Sequence, residues 1–305
     1  MTTRNARGAG GTTGPRRALP RVAIIGGGKV GRTLGRLWQA AACFAPADVV
    51  ARSAHSAAAA VAFIGGGRAL AAPALPAAAD VYLLAVPDRA IADVAAALAA
   101  APNLNPAAIA FHCSGALSSA ELAPLAARGL ATASVHPALS FADPARAAAQ
   151  FAGTLCGIEG DAAALAVLEP AFAAIGGRCF AVRAEHKLLY HAGSVFASNF
   201  SVVLLDVALR AYRDSGLDAA TAQALLAPLV RNAVDNALNL GPARALTGPA
   251  ARGDVVLVRR QHDCVAQWDA LAGEAYRALS ELATNLARGD AATAVRPAPS
   301  RPTEK

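Results

Sequence analysis

The 305-residue chain lacks several features that would assign it at once to a class. Its five cysteines, Cys43, Cys113, Cys156, Cys179 and Cys264, are scattered, and no C-x-x-C pair occurs. An odd, dispersed set argues against a disulfide framework and a zinc site, and predicts reduced thiols in a cytoplasm. No apolar run reaches the ~18 residues that span a bilayer, so no membrane partner is expected. Residues 1–19 hold no apolar core of signal-peptide length. Arg16-Arg17 is followed by only Val22 to Ile25, which the first strand needs. Residues 1–19 and 289–305 therefore read as disordered tails. A formal charge of +7 raises the possibility of nucleic acid. However, Arg4, Arg7, Arg16, Arg17 and Arg21 cluster in or beside the first tail, and no basic stripe with interleaved aromatics follows. No nucleic-acid partner is expected.

What is present is enough apolar material for two domains, at 55% hydrophobic residues, much of it alanine. The most informative stretch is residues 21–31, Arg-Val-Ala-Ile-Ile-Gly-Gly-Gly-Lys-Val-Gly. A short apolar strand runs into Gly26-x-Gly28-x-x-Gly31, with Lys29 and Val30 between the last two glycines, and a helix-compatible segment follows. In a dinucleotide site Gly26 permits the turn, Gly28 admits a pyrophosphate to bare backbone, and Gly31 lets helix and strand pack closely. The first N–H groups of the helix face the phosphates.

A second strand, Asp48 to Ser53, ends about 20 residues further on, where an NAD site usually places an acid for the ribose 2′-hydroxyl. Here Arg52 and Ser53 occupy that place. A guanidinium and a hydroxyl suit a 2′-phosphate that an acid would repel, so NADP is the expected cofactor.

Further strands are expected at Val81–Val86, Ala108–His112 and Ala131–Val135, alternating with helices at Ile91–Ala101 and Ser118–Arg128. Such alternation implies a mostly parallel sheet covered on both faces, with ligands at the carboxyl ends of the strands. Val86-Pro87-Asp88, Ser114-Gly115 and His136-Pro137 all fall at such ends. The first group is assigned to cofactor, Ser114-Gly115 to substrate and His136 to catalysis. Leu155–Ile158, Ala162–Ala174 and Cys179–Val182 add one more strand–helix–strand unit.

From Ala184 no strand is convincing. The pattern predicts one helix over Ala184–Asp214, a second capped by Asp218 and running to Leu240, and a third capped by Asp254 and running to about Ala287. The first would be about 45 Å long and is assigned to an inter-domain or inter-subunit interface, making the protein a homodimer. At ~100° per residue, Lys187, His191, Ser194, Ser198 and Ser201 share one line, with Asn199 at its edge. Leu189, Phe196, Phe200, Val203 and Val207 lie opposite. The small polar stripe suits close approach of a backbone or ligand, the alternative being an ordinary solvated face. Thr247-Gly248 with Arg252 is a candidate anion-holding loop, or a simple helix connector.

Taken in order, the fingerprint, Ala85-Val86-Pro87-Asp88, His112-Cys113-Ser114-Gly115-Ala116, His136-Pro137, Lys187-x-x-Tyr190-His191-Ala192 and Leu246-Thr247-Gly248-Pro249-x-x-Arg252-Gly253-Asp254 resemble a bacterial group over residues 20–288. These are Rossmann-like proteins with a helical C-terminal domain of unknown function, relatives of 6-phosphogluconate dehydrogenase, pyrroline-5-carboxylate reductase and prephenate dehydrogenase. The resemblance implies an α/β fold, a Rossmann-type doubly wound sheet over residues 20–183, then an all-α substrate and dimerisation domain over 184–288. It also implies NADP-linked oxidoreductase chemistry. Hydroxyacid dehydrogenases of this superfamily carry a catalytic lysine one turn before an asparagine. Here Lys187 has His191 at that spacing, and the asparagine is displaced to Asn199.

The expectation is thus an NADP-dependent oxidoreductase moving a hydride between nicotinamide and a small carbonyl, alcohol or imine. Lys187 is its acid/base, with His191 or His136 the alternative. Substrate contacts are expected from Ser114, Gly115, Asn199, Thr247 and Arg252. A non-catalytic NADP-binding sensor or scaffold is the other open class. It would keep the phosphate contacts and need nothing at Lys187.

Overall fold

The computed structural model describes residues 18–289. The segments read as tails, apart from residues 18, 19 and 289, lie outside those residues. The chain divides into two compact units between Ala197 and Ser198.

The first unit is built on an eight-stranded sheet of order β3-β2-β1-β4-β5-β6-β7-β8. Its strands are β1 (Arg21–Ile25), β2 (Ala45–Ala51), β3 (Arg68–Ala71), β4 (Val81–Leu84), β5 (Ile109–His112), β6 (Ala131–Pro137), β7 (Leu155–Gly160) and β8 (Arg178–Ala181). Its helices are α1 (Lys29–Ala41), α2 (Ala54–Ile64), α3 (Ile91–Ala99), α4 (Ala123–Ala126), α5 (Pro144–Gln150), α6 (Ala162–Ala174) and α7 (Lys187–Ala197). Strand periodicity sorts the core into two faces. Val22, Ile24, Val81, Leu83, Ile109 and Phe111 point to a layer holding Trp38, Phe44, Phe172 and Leu34. Ala23, Ile25, Tyr82, Leu84 and Ala110 point to the other, which meets Ile91, Leu98, Leu122 and Leu125. Large rings are concentrated on the first face. Trp38 stands edge-on to Phe44, Phe111 and Phe172 at 5.4, 6.2 and 5.5 Å, and its indole N–H donates to Ala171 O.

Several expectations are corrected. Residues 68–71 form a strand for which no expectation was stated, pairing in parallel with β2. His136 and Pro137 lie within β6 rather than after it. The strand pattern after β6 is not a parallel continuation: β7 runs antiparallel to β6, and β8 parallel to β7. The connection holds only the seven-residue α5, which stays near α1, with Thr33 Oγ1 donating to Pro144 O. The chain therefore returns beside Pro137, the end it left, and Cys156 pairs with Pro137. The helix expected over Ala184–Asp214 is broken at Ser198, where φ is −120° and ψ −66°. The stretch is, even so, long and apolar enough to cross a membrane by length and composition, contrary to the expectation that no apolar run reaches that length. Its first half is anchored on the sheet through the buried Lys187.

The second unit is helical: α8 (Asn199–Asp214), α9 (Ala219–Leu240), α10 (Pro242–Ala245), α11 (Val255–Trp268) and α12 (Ala270–Arg288). Asp218 and Asp254 cap α9 and α11 as expected, accepting from Thr221 N and Leu257 N. The third expected helix is in fact two, since Asp269 starts a new one by accepting from Ala272 N while its carboxylate also holds Arg210.

Trp38→Ala should lower unfolding free energy by about 3–5 kcal/mol, because the ring sits at the centre of the aromatic layer and leaves a cavity that rigid neighbours cannot fill. Denaturant unfolding followed by circular dichroism measures this. A cost below 1 kcal/mol would mean the layer repacks freely.

Candidate active site

The nucleotide end of the site begins where β1 meets β4. Gly26 has φ +121°, and a Cβ there would lie 2.2 Å from Ala85 O. A Cβ on Gly31 would lie 2.2 Å from Gly26 O. Both glycines are demanded by close backbone packing. Gly28 differs, for a Cβ there meets nothing within 4 Å. It is the N-cap of α1, with no side-chain cap and no acid in the first turn. The first N–H groups of α1 are thus left without a side-chain cap beside an open Cβ position, an arrangement that fits a dinucleotide's phosphates. Lys29 is exposed there, while Val30 packs against the core.

Beyond β2, Arg52 is exposed and Ser53 caps α2, accepting from Ser56 N at 3.2 Å and sharing a hydrogen bond with Ser56 Oγ. Arg32, not singled out from the sequence, donates from Nε to Gly27 O at 2.8 Å and from Nη2 to Ser56 O at 3.5 Å. It ties the glycine turn to the start of α2.

The second half of the site lies along β5, β6, β7 and α7. Lys187 is 2% exposed. Its ammonium donates to Ser114 O at 3.0 Å and Ser134 Oγ at 2.5 Å, and stands 3.7 Å from Glu159 Oε1. Burial pulls its pKa below the usual lysine value, with Glu159 opposing. Glu159 also accepts from Ser119 N and Ser119 Oγ, both at 2.8 Å. Ser114 Oγ donates to Asp88 Oδ2 at 2.9 Å and accepts from Ala116 N and Leu117 N. His112 Nδ1 accepts from Ser114 N, so its Nε2–H donates to Ser118 O. These groups saturate one another.

Three groups on α7 and β6 are arranged differently. His136 Nδ1 meets Tyr190 Oη at 2.8 Å. His191 stands edge-on to His136, with ring centroids 5.5 Å apart. A Cβ on Gly115 would fall 2.4 Å from His191 Nδ1 and 2.8 Å from His136 Nε2. His191 Nδ1 is a buried nitrogen without a hydrogen-bond partner among the described residues. Burial, then the nearby His191 and Lys187, bring His136 down to about 4.

The structure therefore brings together Asp88, Ser114, Gly115, His136, Lys187 and His191, all predicted from the sequence. Lys187 is buried, with its ammonium on Ser114 O and Ser134 Oγ and the Glu159 carboxylate 3.7 Å away, so it also anchors α7 to the sheet. Asp88 and the Ser114 hydroxyl hold each other and the turn after β5. Asn199, Thr247 and Arg252 belong to the second unit, where Asn199 Oδ1 accepts from Ser198 Oγ and Arg252 N donates to Gly248 O. The sequence reading did not assign roles to Ser134, Glu159 and Tyr190. Two of them had a signal: Glu159 as an acid inside the apolar strand Leu-Cys-Gly-Ile-Glu-Gly, and Tyr190 one helical turn from Lys187, while Ser134 had none.

The His136 shift fixes a pH dependence. The folded state holds this ring neutral down to about pH 4, whereas the unfolded ring protonates near 6.5. The unfolded state binds more protons in that window, so stability falls as pH drops from about 6.5 to about 4, by at most about 3 kcal/mol from this group. His112, also lowered by burial, acts in the same direction. His136→Gln should flatten the curve in that window in urea titrations at fixed pH. An unchanged slope would show that His136 is readily charged in the native chain.

Residues 7–137 match the model of a Rossmann-like domain, and residues 154–283 match a domain of unknown function, DUF2520. The second match starts at β7, so it takes in the antiparallel part of the sheet as well as the helices. Among curated proteins, none matches the chain. Among solved structures, protein TM1727 from Thermotoga maritima is 28% identical, with a TM-score of 0.66 over 88% of this chain and 98% of its own. BF3122 from Bacteroides fragilis, a proposed NADP oxidoreductase, is 18% identical, with a TM-score of 0.73 over 88% and 99%. Pyrroline carboxylate reductase from Plasmodium falciparum, solved with NADP bound, is 12% identical, with a TM-score of 0.54 over 88% and 99%. The last two likenesses show the fold. The chain joins a Rossmann-like domain to a C-terminal DUF2520 domain.

Proposed function

We propose that the protein is an NADP-dependent oxidoreductase acting on a small carbonyl, alcohol or imine. One observation carries this reading. The open, uncapped start of α1 and the paired imidazoles of His136 and His191 are both found at carboxyl-end positions of one sheet, inside one compact unit. The NADP bound by the Plasmodium relative supports the choice of cofactor. When bound, the nicotinamide ring supplies or accepts the hydride.

The chain's own residues supply the rest. Gly28 leaves room for phosphate against the N–H groups of α1. Arg52, with Ser53 at the start of α2, offers charge and hydrogen bonds to a 2′-phosphate. His191 Nδ1 takes or gives the proton that accompanies the hydride. Lys187 holds the turn at Ser114 and keeps α7 against β6 and β7. The five thiols, none in a disulfide among the described residues, suit the cytoplasm.

Calorimetric titration with NADP and NAD tests the cofactor half. NADP should bind roughly tenfold or more tightly, and Arg52→Ala should erase the difference. Gly28→Ala should melt like the parent, since its Cβ meets nothing, yet lose cofactor affinity. Equal binding of both cofactors, or an unchanged preference in Arg52→Ala, contradicts the assignment.

We also infer a homodimer. Leu188 and Leu189 on α7 are 72% and 76% exposed, and Val202, Val203 and Leu204 on α8 are exposed as well. So much apolar helix surface requires a cover, and a second copy supplies it. Light scattering behind a sizing column should give twice 30.6 kDa. A stable monomer at micromolar concentration contradicts the inference.

A further inference from the structure

We propose that Tyr190 is a positioning residue that fixes His136 as a neutral N–H donor, and that the seat it creates beside Gly115 takes a substrate oxygen, a carbonyl or its alcohol, in preference to an imine nitrogen. This rests on the oxidoreductase reading above and narrows its substrate class.

Tyr190 is itself held in place. A Cβ on Gly157 of β7 would fall 2.9 Å from Tyr190 Oη and 3.2 Å from Cζ, so the strand carries a glycine where the phenol lies. Phe180 of β8 stands edge-on to the phenol ring, with centroids 6.0 Å apart. Burial raises the Tyr190 pKa, so the phenol keeps its proton. A phenol hydrogen turned into the protein needs an acceptor, and His136 Nδ1, at 2.8 Å, is placed to take it. With Nδ1 accepting, the neutral imidazole carries its hydrogen on Nε2, the nitrogen that faces Gly115.

The groups around His136 keep it neutral. Burial around the ring and the Lys187 ammonium nearby disfavour a charge on it, while Asp88 opposes them and is itself engaged by Ser114. A neutral imidazole N–H is a hydrogen-bond donor that polarises an acceptor without adding a charge. Opposite it, His191 Nδ1 has no partner among the described residues. Gly115 lies against both nitrogens, and any side chain there would crowd them. An oxygen suits this pair in both of its forms. A carbonyl oxygen accepts from His136 Nε2–H, and a hydroxyl does the same while donating to His191 Nδ1. A protonated imine has an N–H and no lone pair, so it leaves the His136 donor unmet, a costly outcome in a buried site.

Nitrogen NMR of the full-length, ligand-free protein with labelled histidine reads the tautomer directly. Only six histidines are present, and His136→Gln identifies the resonance pair. The expected result is a single neutral tautomer protonated on Nε2, persisting well below pH 6.5, and its loss to a mixture in Tyr190→Phe. The phenylalanine keeps the ring against Phe180, and a melting curve checks that the fold is intact. A wild-type ring protonated on Nδ1, or a tautomer unchanged by Tyr190→Phe, overturns the positioning role whatever the cofactor titrations show. The substrate half is tested with NADPH and matched panels of ketones, aldehydes and cyclic imines. Turnover should favour the carbonyls, with kcat in Tyr190→Phe lowered roughly tenfold or more at unchanged cofactor affinity. Turnover confined to imines overturns the oxygen assignment. Failure to bind NADPH at all would instead overturn the function on which it rests.

Discussion

The buried ammonium of Lys187 is the contact on which the rest of the site depends. It crosses from the first turn of α7 to the main chain after β5, the hydroxyl of β6 and the carboxylate of β7. Three strands and a helix are thereby tied at one point. Placing an amine there costs desolvation, and removal of Glu159 alone would leave it unpaired at about 3–5 kcal/mol. In return α7 is fixed in rotation. Tyr190 and His191, one turn on, then meet His136 and Gly115 because the helix has no freedom to turn them away.

The antiparallel return of β7 makes this possible. A parallel strand beside β6 would have entered from the opposite end. As it stands, β7 sets Glu159 opposite Ser134 and Gly157 opposite His136. One strand thus supplies both the counter-charge for Lys187 and the bare position that Tyr190 occupies. The same sheet, at β1 and β4, is fully parallel and offers the open glycine turn. The unit is divided in character: a parallel half that carries the open glycine turn, and a reversed edge that seats Lys187 and Tyr190.

Much of the parallel half was legible in the sequence because its signals are local. Glycine spacing, an apolar run and the absence of an acid after β2 all sit within about 30 residues, and Asp218 and Asp254 mark helix starts by their own side chains. What escaped depends on tertiary contact. The direction of β7 is set by where a 17-residue return ends, and no periodicity records it. The breaks at Ser198 and Asp269 interrupt helix-compatible sequence, the second because Asp269 finds both Ala272 N and Arg210. Lys187 was visible on its helix face, but a helix face cannot show that the amine is buried against Ser114, Ser134 and Glu159. Tyr190 was visible within its motif and lacked a role until His136 was seen opposite.

The central claim is that one sheet edge holds the dinucleotide and the imidazole pair together. A crystal structure of the full chain grown with NADP tests it most directly. The account predicts the pyrophosphate at Gly28 and the start of α1, the 2′-phosphate beside Arg52, and the nicotinamide ring alongside the imidazole pair, with the place between His136 and His191 left to substrate. A nicotinamide ring lying away from both imidazoles, or a pyrophosphate bound elsewhere than the start of α1, would contradict it.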